Sequence, residues 1–404
     1  MSTDDSSAPA QFRRPPIFLA LALSAVICAA GFLLMGRGSL ASATLPLDAA
    51  GYALGRDFVN VWNGARLALA GEAAILFDRD AYQASLAAAF GPGFPDHNWS
   101  YPPHALLLFA AFGAMPYLAA LALWLALTGA AFLAAVAALA PAGRRRLCCL
   151  LAAISPASVV DVAFGQNGHL TGALTLGALA ALQRRPWLAG VLIGLLTIKP
   201  HLGLLLPFAL VAIGAWRTIL WAAGTTLALV ALSVAAFGLE PWRLYLGVTT
   251  GVQGEILTQG VGGFVTMMPT VYQAAKALAG PAAAWPLQAA ATLVAILLTV
   301  FAFRRMSDPA GRALVLSAGA LLALPYAFNY DMTALAGAIV VWAATRAEAS
   351  GWLLLAWIAP IVIMPLALAG APLGPVALVA ALVVAVRGSV GHAAGRPAGE
   401  ASFA

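Results

Sequence analysis

The sequence predicts an all-α, polytopic integral membrane protein, and three observations carry that expectation. Hydrophobic residues make up 62% of the 404 positions and Asp, Glu, Lys and Arg only 9%, against about 25% charged residues in a typical soluble domain. Mean hydropathy is +0.92. The arginines stand in ones to threes between apolar stretches, as they do at the cytoplasmic ends of membrane segments. The net charge of +6 is therefore read as topology, and no nucleic-acid partner is expected. At about 20 residues per span plus connections, there is room for roughly ten to thirteen membrane segments. Cys28 lies inside the first apolar run, while Cys148 and Cys149 are adjacent. Neither a disulfide framework nor a metal site follows from them.

Residues 1–16 are polar, close on Arg13-Arg14-Pro15-Pro16 and are expected as a cytoplasmic tail. Ile17 to Gly36 then supplies about 20 apolar residues, enough to span. Ala41-Ser42-Ala43 has the form of a signal-peptidase site, but the apolar run exceeds the roughly 7–15 residues of a signal-peptide core. An uncleaved first helix that starts in the cytoplasm is expected.

Residues 37–103 form an expected outer loop with two helical patterns, one with Phe58, Val61, Trp62, Ala65 and Leu69 on a single face, the other from Asp80 to Phe90. Apolar spacings of three and four opposite a polar face suggest short helices along the membrane interface. Gly91-Pro92-Gly93-Phe94-Pro95 reads as a turn, and Asp96 to Pro103 brings polar and aromatic groups to the next apolar run. A break at Met115-Pro116 within His104 to Ala140 leaves two crossings, or one crossing preceded by a re-entrant piece. Arg144-Arg145-Arg146 beyond it argues for a single net crossing.

Arg184-Arg185, Arg217, Arg304-Arg305 with Arg312, Arg346 and Arg387 punctuate the remainder and are assigned to the cytoplasm. Gln166 to His169, Lys199-Pro200-His201, a second outer loop at 237–284, and Asn329-Tyr330-Asp331 then face the same side as Asp57. Apolar pieces of only about 13 residues flank Lys199-Pro200. Helices there must be short, broken or re-entrant, which is tolerated against protein or a water-filled cavity. An outer cavity is expected within one multi-span domain, 17–388, followed by a cytoplasmic tail, 389–404.

Asp57, in Gly55-Arg56-Asp57-Phe58, is the catalytic candidate. A carboxylate beside a membrane helix costs free energy unless it is paired or used; the alternative is a cap on the helix starting at Phe58. Lys199 stands among apolar residues, where mid-helix placement costs about 2.5–3.5 kcal/mol. It points to an anionic head group, most simply phosphate, with His201 as a candidate assistant; the alternative is a lysine snorkelling from a helix end. Gln166, Asn167 and His169 suit a hydroxyl-rich ligand or bonds between helices. Asp331 either orients a substrate or caps the helix from Met332. Asp161, Glu72, Asp78, Asp80 and Asp96 are read as solvated, and Trp242, Tyr245 and Trp285 as an interfacial aromatic belt.

In order along the chain, Asp57-Phe58 through Gly71, Leu76-Phe77-Asp78, Tyr101-Pro102-Pro103, Gly165-Gln166-Asn167, Gly190-Val191 through Lys199-Pro200, and Pro325-Tyr326 to Tyr330-Asp331 resemble glycosyltransferase family 87. These are membrane enzymes of the GT-C superfamily, similar to mycobacterial mannosyltransferases that use polyprenyl-phosphate mannose. The resemblance spans about residues 55 to 335. It implies a GT-C-type helix bundle and inverting transfer of a hexose, mannose favoured, from a polyprenyl-phosphate donor to a hydroxyl of an envelope lipid or glycan, on the periplasmic face of a bacterial inner membrane. Asp57 matches the general base of such enzymes, and Lys199 with His201 the donor-phosphate site. Asn60, Arg66, His97, Tyr101, Gln166, Asn167 and Asp331 are the substrate-binding candidates, and neither cofactor nor metal is called for. No acceptor motif maps onto 237–284. The competing expectations are a transporter or flippase, for which broken helices are also characteristic, and a non-catalytic envelope scaffold.

Overall fold

The computed structural model describes residues 16–41, 44–260, 262–346 and 350–394. Apart from Pro16 and residues 389–394, the expected tails lie outside them, as do Ser42 and Ala43. Among the described residues there is no strand, only two isolated bridges joining Thr44, Leu47 and Ala53. Helix α1 (Pro16–Ala41) is followed by three short helices, α2 (Phe58–Leu69), α3 (Arg79–Phe90) and α4 (Ala105–Gly113), and by the long α5 (Tyr117–Leu139). Next come α6 (Arg145–Ala153), α7 (Pro156–Phe164), α8 (Gly168–Ala181), α9 (Pro186–Leu195) and α10 (Leu206–Ala212). Long α11 (Trp216–Phe237) leads into four short helices, α12 (Glu240–Leu244), α13 (Thr250–Gln259), α14 (Gly263–Thr266) and α15 (Val271–Ala279). The chain ends with α16 (Pro281–Arg305), α17 (Pro309–Ala323), α18 (Thr333–Thr345), α19 (Leu353–Leu368) and α20 (Gly374–Ala394).

Proline sets many of these starts. Pro156, Pro186, Pro281 and Pro309 lie in the first turns of α7, α9, α16 and α17, where the missing N–H would have had no helical partner. Among the described residues four helices, α1, α5, α11 and α16, are long and apolar enough to cross a membrane, and α6 with α7, bent by 50°, makes a fifth if taken as one span. Among the described residues, five further apolar helices have only 10–17 residues, short of the about 20 that a span needs. For α17 the reason lies in its surroundings. α17 and α18 are buried on almost every side, and a helix enclosed by protein need not match the hydrocarbon thickness.

As expected, the chain between Pro186 and Ala212 is broken. α9 ends in a 3-10 turn, Leu196–Ile198, and a second turn, Pro200–Gly203, precedes α10. Lys199 sits between the turns, its N–H bonded to Leu196 O. The break at Met115-Pro116 resolves as one short helix, α4, packed on α2, followed by the single long α5.

The outer-loop helices form where their periodicity puts them, but α2 does not keep a free polar face. Phe58, Val61, Ala65 and Leu67 join a core that also takes Tyr82 and Leu86 of α3, Phe109 of α4 and Trp124 of α5. On the polar side, Asn60 accepts from Tyr82 Oη at 2.7 Å and Asn63 donates to Ser85 Oγ at 2.8 Å. These bonds make burial of both asparagines tolerable, and within α2 only Arg66 and Leu69 remain exposed. Gly113 sets the spacing of α2 and α4, since a Cβ there would lie 2.5 Å from the backbone of Ala65 and Arg66. Gly113→Ala is expected to destabilise the protein by about 1–3 kcal/mol through overpacking. Thermal unfolding in detergent measures this, and an unchanged midpoint would contradict the close approach.

Candidate active site

A cavity of about 1210 Å³ lies between the α2–α4 unit and the bundle, walled by α1 (Phe32, Leu33), α7 (Val159, Val162), α13 and α19 (Met364). Its wall mixes these apolar side chains with Asp57, Asn60, His97, Tyr101 and Gln166. A smaller chamber of about 150 Å³ adjoins it, lined by Lys199, His201, Tyr245, Gln253, Tyr326 and Tyr330, with Tyr101 and Gln166 again.

Backbone packing fixes Asp57. Gly55 (φ +75°) leaves no room for a Cβ beside Leu121, and a Cβ on Gly165 (φ +56°) would meet Gly55 O at 2.4 Å. Asp57 N–H donates to Phe164 O at 3.0 Å, locking the start of α2 to the end of α7. Arg56 has φ +38°, the only positive value at a non-glycine among the described residues. Its guanidinium stacks on Tyr52 at 4.2 Å and donates to Asp48 Oδ2 at 2.8 Å. The other Asp48 oxygen accepts from the N–H groups of Ala50 and Tyr52, so a strained backbone is held by a rigid clamp.

Asp57 stands at the N-cap position of α2 yet makes no side-chain capping bond. Its Oδ2 instead accepts from Gln166 Nε2 at 2.7 Å, and its Oδ1 lies 4.0 Å from His97 Nε2. About a quarter of the side chain, 26%, stays exposed to the cavity. Burial raises its pKa above the ordinary 3.8, against the lowering effects of the Gln166 bond and of His97, Lys199 and Arg56. His97 is stacked on Phe94, with Nδ1 2.8 Å from Pro95 O. A carbonyl only accepts, so Nδ1 carries the proton and Nε2 faces Asp57.

Gln166 and Asn167 occupy the turn between α7 and α8. Asn167 donates to Tyr101 Oη at 3.0 Å. Asp161, read from sequence as solvated, is fully buried: it accepts from the N–H groups of Gly168 (2.6 Å) and His169 (3.1 Å) and lies 2.9 Å from His169 Nδ1. It holds the turn that presents Gln166 to Asp57. His169 itself bonds Ser158 Oγ at 3.0 Å, so it belongs to this support and not to the cavity wall.

Lys199 does not snorkel. It is 9% exposed, 2.5 Å from Asp331 Oδ1 and 4.9 Å above the Tyr330 ring. Asp331 Oδ2 also accepts from Phe328 N–H at 2.9 Å, closing the start of the 3-10 turn Asn329–Met332 and not capping the helix beyond Met332. His201 faces Tyr326, and its Nε2 is buried without a partner. Arg66 is the site candidate that the fold does not bring in: it is exposed, bonded to Asn63 at 3.1 Å and stacked on Trp62. It follows Asp57 by nine residues, about two and a half helical turns, which places it on the opposite side. Tyr245 and Trp242 are likewise not belt residues. Tyr245 lines the small chamber, while Trp242 stacks on His104 at 5.6 Å and donates to Ser233. Sequence reasoning missed Asp48, Arg56, Ser100, Gln253 and the ring positions of Tyr326 and Tyr330; only the resemblance string touched the last two. Among the described residues, no three His, Cys, Asp or Glu side chains are grouped as metal ligands.

The Lys199–Asp331 pair yields a test. Asp331→Asn leaves a buried ammonium without its counter-charge and is expected to cost about 3–5 kcal/mol. Lys199→Met combined with Asp331→Leu is expected to recover most of that. Additive losses in the double variant, measured by thermal unfolding, would mean that the two side chains do not pair.

Comparison with known proteins agrees with this architecture. The model of glycosyltransferase family 87 matches residues 99–325, more than half of the chain. Asp57 and Asp331 lie outside the matched residues. No curated protein and no solved structure matches the chain. With its all-helical bundle, its membrane-length helices and that match, the chain belongs to glycosyltransferase family 87 and is a membrane glycosyltransferase.

Proposed function

We propose that the protein transfers a hexose, mannose favoured, from a polyprenyl-phosphate donor to a hydroxyl of an envelope lipid or glycan, with Asp57 as general base and inversion at the anomeric carbon. One observation carries the assignment: the Asp57 carboxylate, placed where it could cap a helix, is turned to the cavity and held there by Gln166. The acceptor hydroxyl approaches Asp57 Oδ1 and attacks the anomeric carbon. As the new C–O bond forms, the bond from that carbon to the phosphate oxygen breaks, its electron pair leaves with the lipid phosphate, and the hydroxyl proton passes to Asp57.

Lys199 and His201 are assigned to the departing phosphate. Asp331 takes only one of the three N–H donors of the lysine, and a positioned cation is worth most where charge develops away from water. Asn60, His97, Tyr101, Gln166 and Asn167 are assigned to substrate binding or to holding the groups that bind. The apolar wall from α1, α7 and α19 suits a lipid-linked substrate. Segments 37–103 and 237–284 are read as outer loops, since the arginine clusters fall at the other ends of the helices they connect. The positive-inside rule then supports a cavity on the non-cytoplasmic side, which we read as the periplasmic face of a bacterial inner membrane.

Purified wild-type protein is expected to move labelled sugar from polyprenyl-phosphate mannose to extracted envelope lipids and glycans, and Asp57→Asn to slow transfer by about 10²–10⁴-fold at equal abundance. Normal transfer by Asp57→Asn would sink the base assignment. A base acts only when deprotonated, so the wild-type rate is expected to fall as pH drops through the raised pKa of Asp57, with an acid limb above the ordinary 3.8. A rate flat down to that value would contradict the burial argument.

A further inference from the structure

The cavity and the chamber share six lining residues: Ser100, Tyr101, Gln166, Gln253, Tyr326 and Tyr330. Asp57 and His97 line only the cavity, and Lys199 and His201 only the chamber. In a displacement the attacking and leaving oxygens lie on opposite faces of the reacting carbon. A base on one side and a phosphate cation on the other therefore place the transferred sugar between them, where the two spaces meet. We propose that this neck is the subsite for the transferred sugar ring and that Gln253, with Tyr326, determines which sugar it accepts. The proposal rests on the function argued above.

The chemistry of the neck fits one sugar ring. Three phenol rings and two amides surround it, giving flat apolar faces for ring C–H groups and polar edges for the hydroxyls around the rim. The spare hydrogen-bonding capacity is also localised. Gln166 spends one of its two N–H groups on Asp57, and Tyr101 Oη already accepts from Asn167. Gln253 makes only a long contact, 3.4 Å, to Ser100 O, which leaves its carbonyl oxygen free among the described residues. The hydroxyls of Tyr326 and Tyr330 make no hydrogen bond among the described residues, and neither is sealed from the cavity. Tyr330 is buried and carries Lys199 over its ring, whereas Tyr326 is half-buried, so Gln253 and Tyr326 are the groups assigned to read a hydroxyl. This also gives a use to 237–284, the loop to which no acceptor motif could be assigned: α13 reaches across to residue 100 and delivers Gln253.

The test uses the full-length protein with polyprenyl-phosphate donors carrying mannose, glucose or galactose, which differ in hydroxyl configuration, and one acceptor extract. Wild type is expected to favour one donor. Gln253→Ala is expected to shrink the ratio of kcat/KM between favoured and disfavoured donors by about tenfold, the worth of a lost hydrogen bond to substrate. Tyr326→Phe, which removes one oxygen and keeps the ring, is expected to shrink it in the same direction with an unchanged melting temperature. Ratios unchanged in both variants, or equal losses for all donors, would overturn the proposal while leaving the transferase reading intact. Wild-type protein that transfers none of the three sugars would instead overturn the donor class, and this subsite with it.

Discussion

The cost of holding carboxylates out of water organises this protein. Asp57 sits at the edge of a membrane bundle with its charge desolvated, and the fold answers with a donor brought from 109 residues away, the amide of Gln166. That bond works only because two glycines let the backbones of 55 and 165 touch, and because Asp161 pins the turn that carries Gln166. The same logic recurs at Lys199 with Asp331, Arg56 with Asp48, and Arg346 with Asp308. Each is a charge in or near a low-dielectric region that would be expensive alone. Asp57 differs in degree. Its partners are an amide and an imidazole 4.0 Å away, so its charge is stabilised without being neutralised, which is the state a base needs.

Much of this was legible in the sequence. Composition and arginine spacing gave the all-helical membrane class, and period-3.6 patterning located α2 and α3. The convergence of Gln166, Lys199 and Asp331 with Asp57 on one side followed from counting arginine punctuation. Local rules failed where the deciding partner is distant. The polar face of α2 is buried because Tyr82 and Ser85, 22 residues on, cover Asn60 and Asn63. Lys199 and Asp331 are 132 residues apart, and no periodicity links them. Arg66 was misplaced for a different reason, since a motif read as a string ignores helical phase. Asp161 was misread although its partners are seven and eight residues away, because a helix, a turn and the next helix must form before they meet.

The outer unit behaves like a small soluble core attached to a membrane bundle. Its aromatic cluster, including Phe58, Trp99, Phe109 and Trp124, supplies rigidity by packing, and Asp57 projects from its edge towards the bundle. The proposed chemistry therefore falls at the seam between a unit stabilised by burial from water and a bundle stabilised by fit within lipid.

Helix α11 ties that seam to the bilayer. It buries only Thr218 and Ser233 and meets α9 where Gly190 and Gly194 admit Trp221 and Thr225. Its 22 residues measure about 33 Å at 1.5 Å per residue, against a hydrocarbon core of about 30 Å. An excess of that size is one that tilt accommodates, and α11 leads into the segment that carries Gln253. Of the four membrane-length helices among the described residues, the one least covered by protein is thus the one whose chain leads on to the wall of the small chamber.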